Sequence, residues 1–174
     1  MRDPRGWLRE RGADGIGHAG GSLYAHLCRV HDRLTALGLG EDVRLAGLTH
    51  AVYGTDGFAV SLLDVADRAV LRALVGAEAE SQVYRYGGCD RGHTWRALGC
   101  TGEIHSRFTG HVEAPTPAEL RDFADLSIVN ELDVAEQDPE IARVHGDYFR
   151  SVFAGWAELA SPAVLAEARR VLGF

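Results

Sequence analysis

The stretch SLYAHLCRVHDRLTALGLGEDVRLAGLTHAV, residues 22–52, decides the fold class. In its first half, leucine and valine recur at steps of three and four residues, which is the spacing of one face of an α-helix. The apolar residues of this face are Leu23, Leu27, Val30, Leu34 and Leu37. Gly38 follows the last of them, where a glycine commonly ends a helix. The pattern therefore predicts a helix over 22–38.

The second half of the stretch predicts another helix, over 41–52. Two acidic residues begin it, where the helix dipole favours negative charge, and Val43, Ala46 and His50 lie along one line of its surface. The connection between the two helices is short, so we expect them to pack antiparallel as a helical hairpin.

Helical signals continue through most of the chain. The predicted elements are a short helix around Trp7 with a glycine-rich loop after it, a third helix that ends near Gly76, a fourth from 77, a long helix from Pro117 to about Gln137, and two more over 139–158 and 162–172. The long helix has the strongest start signal, because Thr116 and Glu119 form a capping-box pattern around a first-turn proline.

Residues 87–114 lack this periodicity and are rich in glycine, which predicts loops with a short hairpin over the helical body. We therefore predict an all-α helical bundle. The length suits one well-packed domain, and no repeat or linker indicates a second one. The prediction is a single domain over 1–174, with 1–17 as a short helix and loop.

Composition limits the classes of binding partner that we expect for this protein. The net charge is −7 and no basic cluster is present, so nucleic acid and anionic membranes are not expected as partners. No apolar stretch is long enough to span a bilayer, and the first residues lack the apolar core of a signal peptide, which predicts a cytoplasmic protein. We expect a small-molecule substrate, and a homodimer is compatible with the sequence.

Two residue types exclude further chemistry. All 18 basic residues are arginine, which rules out a phosphate-loop lysine and a lysine Schiff base with a pyridoxal cofactor. The three cysteines, Cys28, Cys89 and Cys100, form no CxxC pair. We interpret them as packing residues, because a free cysteine is commonly buried and inert.

Two histidines lie on the buried faces of the predicted hairpin. His26 lies within about 60° of the centre of the first apolar face, and His50 ends the buried line of the second helix. Two antiparallel neighbours would then offer imidazoles to the same space. Neutral imidazole is a common ligand of zinc, iron, copper and nickel. The alternative is that each histidine is a hydrogen-bonded core residue.

The long helix from Pro117 adds a carboxylate. Glu131 shares a face with apolar residues, and Asn130 lies at the edge of that face. A carboxylate there is costly unless it is paired, protonated or bound to metal. We predict Glu131 as a metal ligand and Asn130 as a substrate contact, with an ion pair between Glu131 and Arg91 or Arg107 as the alternative.

The segment after His50 contributes further candidates. Tyr53 could donate a proton or orient a substrate, and we predict it, with His50, as catalytic. Thr55 and Arg91 are predicted substrate contacts. His18, in the glycine-rich loop before the first long helix, is a candidate fourth metal ligand.

The run from His18 through "LYAHLCRVHDRL" to "LGLGEDVRLAGLTHAVYGT" resembles the HD-domain superfamily, and within it a bacterial branch whose pattern ends in His-x-x-Tyr-Gly-Thr. The resemblance covers 18–58 well and is thinner through "VGAEAESQVYRYGGCDR" and "ELRDFADLSIVNELD". It implies an HD-like helical fold. It also implies that His26 and His50 bind a divalent metal such as iron, manganese or zinc, with a final ligand near Asn130 or Glu131.

The sequence departs from that family at Ala51, where the paired motif has an aspartate. Alanine cannot bind metal, so the resemblance implies a mononuclear or metal-free pocket in place of a dinuclear one. Members of the superfamily are most often phosphohydrolases and less often di-iron oxygenases.

Three functions follow from these candidates. The first is a metal-dependent enzyme that hydrolyses a small polar substrate. The second is a metal-free acid–base enzyme, such as an isomerase, cyclase or lyase, or an iron-dependent oxygenase of the same fold. The third is a non-catalytic protein that binds a small molecule.

Overall fold

The computed structural model describes residues 3–174, and this part of the chain is mostly helical. It divides into two compact units, 1–87 and 88–174, and each is described by itself. The prediction of a single domain stays a prediction. Over the described residues, none of the helices combines the length and the apolar character that crossing a bilayer requires.

The first unit contains five helices and a small antiparallel hairpin. Its elements are α1 (Pro4–Glu10), β1 (Gly17–His18), β2 (Gly21–Ser22), α2 (Leu23–Ala36), α3 (Glu41–Thr49), α4 (Arg68–Val75) and α5 (Ala77–Gly88). The predicted helix around Trp7 is confirmed as α1. In the β1–β2 hairpin, Gly17 pairs with Ser22 and His18 with Gly21.

Helix α2 forms as its sequence predicts. The Ser22 hydroxyl accepts a hydrogen bond from the Ala25 amide and caps the start. At the other end, the amides of Gly38 and Leu39 donate to the carbonyls of Thr35 and Leu34. This is a Schellman ending, in which Gly38 takes a positive φ of 77°. All apolar residues predicted for the face are buried except Leu37, which is half-buried.

Helix α3 is shorter than predicted, because it ends at Thr49 and His50 is its C-cap. Beyond it the amide of Val52 donates to the carbonyl of Thr49, so a tight turn replaces the α-helical hydrogen bonds. The third helix was predicted from Ser61, but it begins at Arg68, after a 3-10 turn over Val65–Asp67. Its predicted end at Gly76 is confirmed.

The second unit contains a short hairpin and five helices. Its elements are α6 (Arg91–Thr94), α7 (Leu98–Thr101), β3 (Ile104–His105), β4 (Val112–Glu113), α8 (Pro117–Gln137), α9 (Pro139–Gly155) and α10 (Pro162–Leu172). The hairpin predicted within 87–114 is confirmed as β3 and β4, which are antiparallel. The prediction missed α6 and α7, because four residues are too few to show a helical period.

Helix α8 has the predicted boundaries and the predicted cap. The Thr116 hydroxyl accepts from the Glu119 amide at 3.3 Å, and the Glu119 carboxylate accepts from the Thr116 amide at 2.9 Å. Helices α8, α9 and α10 pack against one another. The Trp156 indole extends this core by donating to the carbonyl of Trp95 at 3.0 Å.

A pair of glycines brings α7 and the end of α9 into direct contact. A Cβ added to Gly99 would lie 2.0 Å from the carbonyl oxygen of Gly155. The Cα hydrogen of Gly99 in that direction therefore faces an oxygen at the C-terminal end of a helix. The last carbonyls of a helix lack intrahelical partners, so a C–H···O contact suits this one.

A buried carboxylate joins α8 to the start of α10. Asp125 accepts hydrogen bonds from the Ser161 amide at 2.7 Å and from the Ser161 hydroxyl at 2.6 Å. Burial raises the pKa of Asp125, and the two bonds from Ser161 offset this only in part. A raised pKa in the folded protein means that stability falls as the pH rises from the unfolded value, about 3.9, through the folded one.

Replacing Asp125 by asparagine should therefore remove the loss of stability that accompanies a rise in pH. We expect the Asp125→Asn protein to match or exceed the wild type in free energy of unfolding at pH 7, because the amide keeps the shape and the acceptor for Ser161. Asp125→Ala should cost about 1–3 kcal/mol, since it leaves the half-buried Ser161 amide without this acceptor. Urea unfolding between pH 3.5 and 7 measures both. A constant difference between wild type and Asp125→Asn across that range would contradict the expectation.

Candidate functional site

The structure brings His26 and His50 into contact in the first unit. Both side chains are buried, and their Nε2 atoms are 3.3 Å apart. His26 lies on α2 and His50 directly follows α3, and these two helices pack against each other. The prediction that the hairpin directs both imidazoles to one space is confirmed.

Gly47 contributes to this pair in two ways. Its carbonyl oxygen accepts a hydrogen bond from Nδ1 of His50 at 2.8 Å. A Cβ at this position would lie 2.3 Å from Cδ1 of Leu34 and 3.3 Å from Val30 on α2. The missing side chain therefore lets the two helices approach closely, while the carbonyl orients the histidine.

The bond to Gly47 assigns the protons of the imidazole. A carbonyl oxygen only accepts, so Nδ1 of His50 carries a hydrogen, and in the neutral ring Nε2 keeps its lone pair. That lone pair faces His26. In metal sites, a ligating histidine commonly donates its other ring N–H to a backbone carbonyl or a carboxylate, which fixes the tautomer and ring orientation.

The distances in the pair match those around a tetrahedral ion. With Zn–N bonds of about 2.0–2.1 Å, two imidazole nitrogens lie about 3.3 Å apart and their ring centroids about 5.2 Å apart. The observed values are 3.3 Å between the nitrogens and 5.2 Å between the centroids. A straight hydrogen bond of this length would separate the centroids by about 5.6 Å, so the two rings and the line between their nitrogens are not collinear.

Aromatic rings surround the pair. His18, on β1, stacks on His26 with the centroids 4.1 Å apart and the planes tilted by 22°. Phe58 lies edge-on to His18, and Tyr86 edge-on to His50. The structure thus places His18 beside the pair as predicted, but with its ring face against His26. In this arrangement His18 covers one side of the pair.

Thr55 is buried in a small turn near His18. It forms an isolated antiparallel bridge with Phe58, whose ring contacts His18. The amide and carbonyl of Thr55 are both bonded to Phe58, at 2.8 and 3.1 Å. Its predicted role as a substrate contact stays a prediction.

Tyr53 takes part in a different cluster, around Glu80. Its hydroxyl donates to Glu80 Oε1 at 2.9 Å. Arg68 holds the same carboxylate with two bonds, of 2.7 and 2.9 Å, and Arg72 adds a third at 3.2 Å. The Arg68 guanidinium also lies 3.7 Å from the ring centroid of Tyr84. The buried Glu80 therefore ties the turn after α3 to helices α4 and α5.

This cluster separates the pKa values of its members. Burial and the nearby Glu80 carboxylate raise the pKa of Tyr53, so the phenol keeps its proton. Burial also acts to raise the pKa of Glu80, but the bonds from Arg68, Tyr53 and Arg72 outweigh it and lower the pKa below the ordinary value. Tyr53 is thus a fixed hydrogen-bond donor to Glu80, and its predicted catalytic role stays a prediction.

The remaining predicted residues lie in the second unit, where they contact one another. Glu131 is buried on α8 and accepts from Arg91 Nη1 at 2.8 Å. Asn130 donates to the same carboxylate oxygen at 3.1 Å. The ion pair with Arg91, offered above as the alternative for Glu131, is therefore formed. Arg91 also lies over the ring of Trp95, at 4.8 Å from its centroid.

Within residues 3–174, the His, Cys, Asp and Glu side chains form no group of three or more that could hold a metal ion. The ligand roles of Glu131 and His18 stay predictions. The convergent pair formed by His26 and His50 is a buried feature of the first unit that could contribute two ligands.

Glu80 and Tyr86 are among the residues around the site that sequence reasoning missed. Tyr86 shares a buried face with Ala79 and Val83, at the three- and four-residue spacing of helix α5. Glu80 could have been identified from this face, because its carboxylate lies next to the buried apolar residues. Its arginine partners come four residues apart on α4, which is the spacing of one helical face.

Residues 7–91 match the model of a family described as a domain of unknown function, DUF6817. The match covers the convergent histidine pair, its aromatic surround and the Glu80 cluster, and it takes in slightly less than half of the chain. No curated protein and no solved structure is significantly similar to this chain.

Proposed function

We propose that this chain is a metal-dependent enzyme that hydrolyses a small polar substrate, with a divalent ion held by His26 and His50. The observation that carries the proposal is the convergence of the two Nε2 atoms at a spacing that suits one ion. The bond from His50 Nδ1 to the carbonyl of Gly47 supports it, because that bond leaves Nε2 as the ligand atom.

The chemistry of the two ligands favours a borderline metal. Imidazole nitrogen suits zinc, iron, copper and nickel, and the tetrahedral spacing favours zinc among the metals predicted from the sequence. Such an ion, when bound, would polarise a substrate oxygen and lower the pKa of a coordinated water. Substrate and water would fill the positions that the two histidines leave open.

The surrounding residues would shape the pocket. His18 and Phe58 would exclude water from one side of the histidine pair, and Tyr86 would hold His50 from another. The resemblance to the HD-domain superfamily agrees with this assignment, because it assigns metal ligation to the same two histidines. We also include in the proposal an HD-like fold, a cytoplasmic location and a small-molecule substrate as the partner.

Metal binding is the first test. Purified without a metal-binding tag, the wild type should hold close to one tightly bound equivalent of metal per chain by elemental analysis. His26→Ala and His50→Ala should each weaken zinc affinity by at least about 100-fold, because each removes one of two ligands. His31→Ala is the matched control, since His31 also lies on α2 but pairs at the surface with Arg5 and Asp32.

Hydrolysis is the second test. The zinc-loaded wild type should cleave members of a panel of chromogenic phosphate and carboxylate esters, and His50→Gln should remove this activity while its circular dichroism stays that of the wild type. If folded wild-type protein takes up no zinc, iron or manganese, the metal-dependent proposal fails.

A metal-free acid–base enzyme is the second candidate, and a specific contact favours it. The two Nε2 atoms are within hydrogen-bond distance, so without metal His26 would donate to the lone pair of His50. Such a pair can relay a proton in an isomerisation or elimination. Activity that survives exhaustive chelation and is lost in both alanine variants would favour this candidate over the metalloenzyme.

A further inference from the structure

A second histidine pair lies on the surface of the second unit, and its first member is held by an aspartate. Asp90 caps α6: its Oδ1 accepts from the backbone amide of His93 at 3.0 Å, and its Oδ2 accepts from Nδ1 of His93 at 2.8 Å. The side chain of His93 is 73% exposed. In the neutral ring, Nδ1 carries the hydrogen and Nε2 keeps an accessible lone pair.

The second member of the pair is His105, on β3. Its ring centroid lies 5.8 Å from that of His93, and the two planes are tilted by 31°. The backbone of His105 is fixed on both sides, because its amide donates to the Thr94 hydroxyl at 3.0 Å and its carbonyl accepts from the Asp90 amide at 2.8 Å. Asp90 therefore positions the side chain of one histidine and the backbone of the other.

The geometry of Asp90 suits this role. Each of its carboxylate oxygens accepts one hydrogen bond from His93, one from the backbone amide and one from the ring. A carboxylate that accepts from Nδ1 orients a histidine and makes its Nε2 a better ligand.

We propose that His93 and His105 form a solvent-accessible site for a borderline divalent cation such as Zn²⁺, with Asp90 as the residue that orients His93. The centroid spacing of 5.8 Å is about 0.6 Å longer than the value of about 5.2 Å for two imidazoles on a tetrahedral ion. Metal binding therefore requires the two rings to move closer together, and the 73% exposed side chain of His93 has room for such a movement. With two protein ligands and water in the other positions, the site binds and releases metal more readily than a four-ligand structural zinc site.

This surface site does not depend on the proposed enzymatic function. It uses residues of the second unit alone, whereas the buried pair uses His26 and His50 of the first. A His50→Gln protein should therefore still bind Zn²⁺ at the surface pair.

The test is a Zn²⁺ titration of the full chain, followed by NMR of the histidine ring nitrogens. We expect the resonances of both His93 and His105 to shift together and saturate, in the wild type and in His50→Gln. His93→Gln and His105→Gln should each remove the surface binding phase, and Asp90→Asn should weaken it by about 10- to 100-fold. His145→Gln, at another exposed histidine of this unit, should leave the surface phase unchanged.

Two results would overturn this proposal. One is that the His93 and His105 resonances stay unchanged at millimolar Zn²⁺. The other is that either single variant, His93→Gln or His105→Gln, binds as tightly as the wild type, which would leave no site that needs both rings. Absence of a buried phase from the wild type, with the surface phase intact, would count against the proposed function and in favour of the surface site.

Discussion

Replacing Glu80 with alanine is expected to lower the free energy of unfolding by about 3 kcal/mol. The carboxylate is fully buried and is the shared acceptor for Tyr53, Arg68 and Arg72. Removing one member of a buried ion pair typically costs about 3–5 kcal/mol, because its partners lose their compensation. We expect the lower end of that range, since the two arginine side chains are 32% and 54% exposed and water can solvate them again.

Urea unfolding at pH 7 measures the effect, and Glu78→Ala is the matched control. Glu78 lies on the same helix but is exposed, so its replacement should change the free energy by no more than about 0.5 kcal/mol. If Glu80→Ala proved as stable as Glu78→Ala, the cluster around Glu80 would contribute nothing to the fold.

The same carboxylate should make stability depend on acid. The folded pKa of Glu80 is below the unfolded value, so its contribution is present above about pH 4.3 and is lost as the pH falls through the folded pKa. Glu80→Gln should lose less stability than the wild type over that interval.

Gly99→Ala is expected to destabilise the second unit by about 2–4 kcal/mol. The new methyl group would lie 2.0 Å from the carbonyl oxygen of Gly155, which is backbone and cannot rotate away. Either α7 or the end of α9 must move, and overpacking of this kind typically costs about 1–3 kcal/mol. We expect the upper part of this range or more, because no flexible side chain can relieve the contact.

The other partner of this contact supplies the control. A Cβ added to Gly155 meets nothing within 4 Å, and alanine is preferred over glycine in a helix by up to about 1 kcal/mol. Gly155→Ala should therefore be neutral or slightly stabilising in thermal and urea unfolding. Equal effects of the two substitutions would show that the close approach of α7 and α9 does not limit stability.

The sequence predicted the elements whose ends carry local signals. The capping box at Thr116 and the glycine at Gly38 act through residues three or four positions away, so the boundaries they indicate are confirmed in α8 and α2. The end of α3 was predicted too late, because His50 and the residues after it are buried like a helical face but form turns. A helix of four residues spans only about one turn of 3.6 residues and so shows no repeat, which is why α6 and α7 could not be predicted.

The candidate site was predictable only in part, because some of its features follow from local signals and others from tertiary packing. Helical periodicity places His26 and His50 on buried faces, but the 3.3 Å between their nitrogens depends on how closely two helices pack. The partner of Tyr53 is 27 positions away, at Glu80, and such a contact follows from tertiary packing alone. Glu131 was correctly predicted to be buried, and Arg91 was one of the two partners offered as the alternative, but the choice between Arg91 and Arg107 needed the structure.

Gly47 limits how this histidine pair could be redesigned. Its absent side chain sets the separation of α2 and α3, while its carbonyl sets the orientation of His50. An engineer who enlarges residue 47 to stabilise α3 would therefore change the spacing of the two imidazoles at the same time. The surroundings of the pair are better altered from the β1–β2 hairpin, where His18 covers the pair without holding the helices apart.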